Sequence, residues 1–536
     1  MVKVRLGRYT VLILCLALFL LALAMVPPGF GGRMLVVIPG LLVLLGVWDL
    51  LQPQHSVLRN YPVIGHVRWM VELVRPEIRQ YLLEDENEAN PFSRAQRSLV
   101  YRRSKGVSSD HPFGTILDVY ADDYEFIAHS MRPADDADPK SFRITIGNDQ
   151  CAKPYSASIF NISAMSFGSL SPNAIRALNK GAAMGNFYHD TGEGSISRYH
   201  RENGGDIVWE VASGYFGCRD AQGRFDPAKF AEQATTDQVR MIEIKLSQGA
   251  KPGHGGILPA KKVTKEIADT RGVPMGVDCI SPSRHSAFST PLEMMAFIQQ
   301  LRTLSGGKPV GFKLCIGHPH EFMAIVKAML VSGIVPDFIV VDGGEGGTGA
   351  APVEFSDHIG SPMREGLLFV HNTLVGAGLR DKIRVGAAGR LVSAFDIATV
   401  LAIGADWANA ARGYMFALGC IQSMSCHTNR CPTGVATQDP TRQRALFVPD
   451  KAERVQHFHD RTVAALADML AAAGLTHPDE LEPHHLVHRI STTEVRQFDQ
   501  VHHFLKDGQL VRGETELPYF RDNWARARAD SFAEAV

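Results

Sequence analysis

Between residues 155 and 440 short apolar, β-branched runs alternate with Gly-rich loops and with longer segments whose apolar residues recur at helical spacing. Such alternation predicts parallel strands joined by crossover helices. Eight strands are expected: Ser158–Ser166, Gly185–Thr191, Met241–Leu246, Pro274–Ile280, Pro309–Ile316, Asp337–Val341, Ile383–Ala388 and Asp406–Ala411. Helices are expected between them at Pro172–Met184, Ala260–Thr270, Pro291–Leu304, His320–Leu330 and Leu391–Ile403. Eight units in about 260 residues fit a (β/α)8 TIM barrel. A doubly wound sheet would open on a GxGxxG fingerprint, which the first unit lacks.

Two apolar runs near the start, Val11–Val26 and Met34–Trp48, flank the turn-forming PPGFGGR and predict a transmembrane hairpin over residues 1–52. Each is shorter than the roughly 20 residues that span a bilayer, but the uncharged stretch around the first reaches from Tyr9 to Gly32. The first is therefore the better span and the second a borderline one. The competing reading of the first is a cleaved signal peptide, with Ala22-Leu23-Ala24 as its small-residue site. Basic residues precede the first run and follow the second (Arg59, Arg68, Arg75, Arg79), whereas the loop holds Arg33 alone. That asymmetry predicts a cell-membrane protein whose large domain faces the cytoplasm. Residues 53–154 read as a juxtamembrane arm and barrel cap, and residues 441–536 as a helix-rich C-terminal extension.

Charge sharpens this division. The chain has 55 Lys plus Arg against 56 Asp plus Glu, a balance that excludes nucleic-acid binding by bulk charge and an acidic disordered chain. Residues 1–52 carry +3 and the remaining 484 carry −4. Eight cysteines in 536 residues are too few for a disulfide scaffold and indicate a reducing compartment.

Three of those cysteines fall in GCIQSMSCHTNRCPTGVATQ. The C-x5-C-x4-C spacing brings Cys420, Cys426 and Cys431 together on a loop. Three thiolates suit an iron–sulfur cluster lacking one corner iron; zinc is the rival and needs a fourth ligand, for which His427 is nearest. The loops after the last two expected strands, Val385–Ser393 and Gly404–Gly413, combine small residues with Arg390 and Arg412 where (β/α)8 barrels hold a phosphate. DGGEGGTGA (Asp342–Ala350), with Gly344 and Gly347, has five glycines in nine residues, as expected where backbone closely approaches a ligand. Lys313 sits in a strand, pointing into the barrel or out of it, and beside a cofactor could stabilise an anionic ring.

Over roughly Ile159–Pro440 these motifs resemble the FMN-binding synthase domain of glutamate synthase. MSFGSLS (Met165–Ser171), TGEG (Thr191–Gly194), VASGYFG (Val211–Gly217), IKLSQGAKPGHGGILP (Ile244–Pro259), DCISPSRH (Asp278–His285), DGGEGGTGA and the cysteine run occur in family order. The resemblance implies FMN at the barrel mouth and a 3Fe-4S cluster on Cys420, Cys426 and Cys431. It implies Met165 and Ser166 along the flavin ring, Lys313 near its pyrimidine edge, and Gly389, Arg390, Ala411 and Arg412 at its phosphate. Gln248 and Lys251 would sit by the flavin and substrate, so that Lys313, Gln248 and Lys251 form the catalytic set.

The implied activity is that of an oxidoreductase on CH–NH2 groups, reducing the imine of a 2-oxo acid and ammonia, with 2-oxoglutarate giving glutamate. The implied partners are a small-molecule substrate and a ferredoxin-like protein or reductase subunit, on a stand-alone, membrane-anchored relative of the family. A membrane flavin dehydrogenase of an amino acid or amine, feeding a membrane carrier, is the alternative. Where the family reads K-Q-V-A-S-G-R-F-G this chain has Trp209, Glu210 and Tyr215. Loss of two positive charges and gain of a carboxylate predict weaker binding of a dianion. KPGEGG has also become KPGHGG at His254.

Overall fold

Eight parallel strands close into a barrel in the computed structural model: Phe160–Ile162 (β1), His189–Asp190 (β2), Ile207–Val211 (β3), Val239–Lys245 (β4), Val310–Cys315 (β5), Phe338–Asp342 (β6), Arg384–Ala388 (β7) and Trp407–Ala410 (β8), with β8 paired back to β1. The structure describes residues 7–25, 30–88, 90–135 and 137–535, and the backbone alone for residues 30–32. It divides into two units, Met1–Ala89 and Asn90–Val536.

The strands are short and buried on both faces, as parallel strands between helices and a filled barrel must be. At one end the interior is plugged by Trp407, which occupies the space left by Gly386, where a Cβ would lie 2.5 Å from the indole. The Trp407 indole N–H donates to the Tyr188 hydroxyl (2.8 Å), which donates to Asn409 Oδ1 (2.7 Å), so the plug's polar atoms are satisfied.

The expected strand count is right, but one member differs. Of Pro274–Ile280 only Cys279–Ile280 is extended, and it pairs antiparallel with Ile257–Leu258 in an excursion between β4 and the crossover helix Pro291–Leu304. Its place in the barrel belongs to β3. The IVWEV run of β3 hides from pattern reading because it alternates to suit two different neighbours. Trp209 faces outward and stacks on Phe230 of the helix Pro227–Ala234, with centroids 5.2 Å apart, while Glu210 faces the barrel interior. The helix expected at Ala260–Thr270 is a 3-10 turn, Ala260–Lys262, followed by a helix, Lys265–Arg271, capped by Thr264 and ended by the left-handed Gly272.

The C-terminal extension is more than helices. Its 25-residue helix Val448–Ala472 packs on Pro172–Gly185 where Gly181 leaves room for Val455. Beyond it, Leu486–Ser491 and Glu494–Gln497 form a sheet with Glu125–Ile127 of the preceding cap segment.

In the first unit, Thr10–Met25 (α1) and Phe30–Leu51 (α2) pack together. Cβ atoms on Gly40 and Gly46 would meet the Phe19 ring at 2.9 Å and Leu12 at 2.4 Å, so these glycines set the approach. Arg33–Leu51, 19 residues with a mean hydropathy of 2.4, is long and apolar enough to cross a membrane, whereas the 16 residues of α1 fall short. The end of the first expected run and part of the turn after it, residues 26–29, lie outside the described residues, and α2 continues through Pro39 and beyond both ends of Met34–Trp48. Asp49, buried near the end of α2, accepts from His66 Nε2 (2.8 Å) and the Val63 N–H (2.9 Å).

Candidate functional site: the barrel mouth and the cysteine loop

In a parallel barrel every loop that follows a strand opens on the same end. Met165 and Ser166 follow β1, Gln248 and Lys251 follow β4, Gly344 and Gly347 follow β6, Gly389 and Arg390 follow β7, and Ala411 and Arg412 follow β8. All ten therefore share one mouth, and glycines let the loops touch there. A Cβ on Gly249 would fall 1.6 Å from the Gly343 carbonyl oxygen, one on Gly192 would fall 2.6 Å from Ser166 N, and one on Gly347 would fall 2.7 Å from Arg412 Nε.

Arg412 is held by donating to the Glu345 carbonyl (2.7 Å) and by lying over Phe92, 4.7 Å from its centroid. Burial, helped by the charge of Arg390, pulls its guanidinium down to about 10. Two cations kept together are relieved by an anion between them. A cavity of about 330 Å³ opens here between Gly389, Arg390, Glu345 and Met363, and Asp396 and Glu365 also line it. Arg390 adopts a left-handed backbone, φ 52°, a strain that functional loops often carry.

Lys313 points into the barrel, which settles the two orientations left by strand alternation. Its Nζ lies 3.5 Å from Glu210 and 3.8 Å from Asp342, and on the neighbouring strand Lys245 lies 3.1 Å from Glu193 and 3.6 Å from Glu210. Register places Lys313 beside Lys245 and Glu210 beside Glu243. Carboxylate oxygens of Asp190, Glu210 and Glu243 lie within 4.8 Å of one another. Five carboxylates thus face two lysines in a space largely closed to solvent, which disfavours ionising all of them. Burial and then Glu210 push Asp190 up to about 7, and burial and then Asp190 push Glu243 well above the usual range. Burial opposes the Lys313 charge, but Glu210, Asp342, Glu243 and Asp190 outweigh it and raise its pKa. Lys313 is a permanent cation beneath the mouth. Lys251 is buried too, donates to the Ala350 carbonyl (3.0 Å), and is lowered by burial. Gln248 is half-buried.

The departures at Trp209, Glu210 and Tyr215 acquire a different meaning. Trp209 is on the outside of the barrel against Phe230, and Glu210 is inside among the lysines. The fully buried Tyr215 accepts from the Ala287 N–H (3.1 Å) and donates to His285 Nδ1 (3.0 Å), whose Nε2 donates to the Lys245 carbonyl. Burial keeps His285 neutral, down at about 4. Two of the three residues thus hold the framework. Only Glu210 alters the charge of the site, and it is neutralised there by lysine.

The three cysteines are free and lie on a loop after the short helix Arg412–Leu418. Among the described residues the three sulfurs do not form a group in which all lie within 4.8 Å of one another. His427, the fourth ligand that zinc would call on, is exposed. Burial pushes the Cys420 thiol up to about 12 and raises Cys426. Burial also opposes a Cys431 thiolate, but the Thr433 hydroxyl and N–H groups of Ala436, Thr433 and Val435 outweigh it and lower its pKa. The loop is tied to the β1 loop: Gln438 Nε2 donates to the Gly168 and Leu170 carbonyls (2.9 and 2.8 Å), and Ser171 N–H donates to Val435 (2.8 Å). Tyr101, from the helix Arg94–Ser104, donates to the Cys420 carbonyl (2.6 Å).

Sequence reading missed Asp190, Glu193, Glu243, Lys245 and Lys262. The signal available was the period-2 spacing of Glu243 and Lys245, which places both on one strand face.

A closed parallel barrel with its glycine-rich loops and buried lysines gathered at one mouth has the layout of a (β/α)8 enzyme. Residues 126–476 match the conserved region in glutamate synthase. The chain belongs to the glutamate synthase family and is an oxidoreductase of that type. It is 38% identical over 493 residues to the glutamate synthase large subunit-like protein YerD of Bacillus subtilis, covering 84% of this chain and 93% of that one. It is 34% identical over 321 residues to the archaeal glutamate synthase (NADPH) of Methanocaldococcus jannaschii, covering 60% of each, so it spans about three fifths of that relative. Among solved structures a flavocytochrome b2 variant with sulfite bound aligns at 12% identity and a TM-score of 0.40, covering 84% of this chain and 90% of that one.

Proposed function

We propose that this chain reduces the imine formed from a 2-oxo acid and ammonia to an amino acid, with 2-oxoglutarate giving glutamate, using FMN at the barrel mouth and a 3Fe-4S cluster on Cys420, Cys426 and Cys431. When bound, FMN supplies hydride transfer and the cluster supplies single electrons. The observation that carries this reading is the joining of the two halves. The buried cation Lys313 stands beneath the mouth, and the loop of Met165 and Ser166 is hydrogen-bonded directly to the cysteine loop.

The mouth suits a flat phosphorylated cofactor. Gly389, Arg390, Ala411 and Arg412 would receive the phosphate, and Met165, Ser166, Gly344 and Gly347 would line the rest, with glycine at each close approach. Lys313 would compensate negative charge on the ring's pyrimidine edge, held in place by Glu210 and Asp342. Gln248 and Lys251 would orient the substrate. The cysteines suit iron–sulfur better than zinc because His427, the nearest fourth ligand for zinc, is exposed. The electron donor would be a ferredoxin-like protein or reductase subunit. The α1–α2 pair would anchor the protein in the cell membrane with the barrel in the cytoplasm.

The test is anaerobic purification of the full chain, followed by reaction with reductant, 2-oxoglutarate and ammonia. Glutamate formation is expected; a loaded enzyme that forms none excludes that substrate. The apolar Arg33–Leu51 helix favours a second reading, a membrane dehydrogenase of an amino acid or amine feeding a membrane carrier. Reoxidation of the flavin by quinone would support it, and indifference to quinone would sink it.

A further inference from the structure

Lys262 lies at the end of the 3-10 turn Ala260–Lys262 and is 3% exposed. Its Nζ donates to three backbone carbonyls: Ser169 (2.8 Å) in the β1 loop, Cys426 (3.2 Å) in the cysteine loop and Ala436 (3.3 Å) in the segment after Cys431. Among the described residues no carboxylate pairs with it. An ammonium buried with only neutral acceptors is costly, and it persists where an anion stands close by. Burial pulls the Lys262 ammonium down to about 8, Arg271 and Lys261 lower it further, and the groups that act to hold its charge are Cys426 and Cys431. The 246–290 excursion, inserted between β4 and the next crossover helix, thus delivers one buried lysine, without a carboxylate partner, to the backbone of the cysteine loop.

We infer that Lys262 is a positioning residue that sets the reduction potential of an iron–sulfur centre on Cys420, Cys426 and Cys431 by holding its ammonium group beside it. The inference rests on the cofactor reading above. A nearby cation stabilises the more negative, reduced state of a centre, so it raises the potential and favours acceptance of an electron. Its three hydrogen bonds also clamp the cysteine loop to the loop of Met165 and Ser166, fixing the distance between the two redox sites. The hydrogen-bond partners of Lys262 are backbone carbonyls, and its role is to tune and to hold.

The test is an EPR-monitored redox titration of the anaerobically purified full chain as wild type, K262Q and K262R, with K265Q as a control that removes an exposed lysine paired with Asp269. Expected is at least a tenfold less favourable reduction of the cluster in K262Q, a downward shift of about 59 mV for a one-electron couple. K262R and K265Q should match the wild type. Loss of the cluster from K262Q with retention in K262R also supports a role of charge. An unmoved potential in K262Q overturns the inference, as does loss of the cluster from both Lys262 variants, which would mark a purely structural lysine. Failure of the cofactor reading is distinguishable, because the wild type would then carry no iron or acid-labile sulfide.

Discussion

At the residue scale the barrel interior is governed by charge that cannot be solvated. Asp190 has an ordinary pKa of 3.8 and is pushed up to about 7 by burial and Glu210. The folded protein therefore holds a proton that the unfolded chain releases between about pH 4 and 7, and this group's contribution to stability falls as pH rises through that window. Asp190→Asn should raise the thermal midpoint relative to wild type by more at pH 8 than at pH 5. Equal shifts at both values would mean that Asp190 carries no extra proton. Trp209 gives a second test. Because it packs against Phe230 outside the barrel, Trp209→Ala should cost about 3–5 kcal/mol of stability and leave the KM for the 2-oxo acid unchanged. A large KM effect without loss of stability would put the side chain back in the pocket.

At the scale of elements, loops govern the site and strands only aim them. The loops after β4 and β6 touch through Gly249, where a Cβ would overlap the Gly343 carbonyl. Gly249→Ala should reduce flavin content and affinity at least tenfold, whereas Gly317→Ala, at an open position after β5, should be neutral in the same fluorescence titration. Equal behaviour of the two would remove the argument for loop contact. Elements also show where pattern reading stops. β6 and β7 are legible because their apolar runs stand between clear turns. β3 is not, because a Trp for the outer helix and a Glu for the inner charge cluster alternate along it, and their complementary partners lie 20 or more residues away in sequence. Cys279–Ile280 is the converse, an apolar pair that satisfies its backbone against Ile257–Leu258 instead of in the barrel.

At the scale of the whole molecule, Asn90–Val536 forms its own unit, and its C-terminal strands are needed to complete a sheet with Glu125–Ile127. A chain beginning at Asn90 should fold, remain in the supernatant and keep its flavin spectrum, while the full chain should sediment with membranes. Aggregation of the shorter chain would show that the first unit supports the second. Truncation after Ala472 should be worse tolerated, because it exposes the edge of Glu125–Ile127 as well as the packing face of Pro319–Ser332 that the helix Pro518–Arg526 covers.

The sequence by itself determined the barrel, the cysteine loop and the set of loops that carry the proposed cofactor residues. Those features are written locally, in apolar period, glycine density and fixed spacing, and a parallel barrel gathers whatever follows its strands at one end. Only the tertiary structure decided which way Lys313 points, that Trp209 and Tyr215 support the framework, and that Glu210 is matched by lysine. It alone brought Lys262 to the cysteines from some 160 residues away. These are questions of what stands opposite a charge once water is excluded. Their answers lie in distant segments that the chain's local pattern does not record.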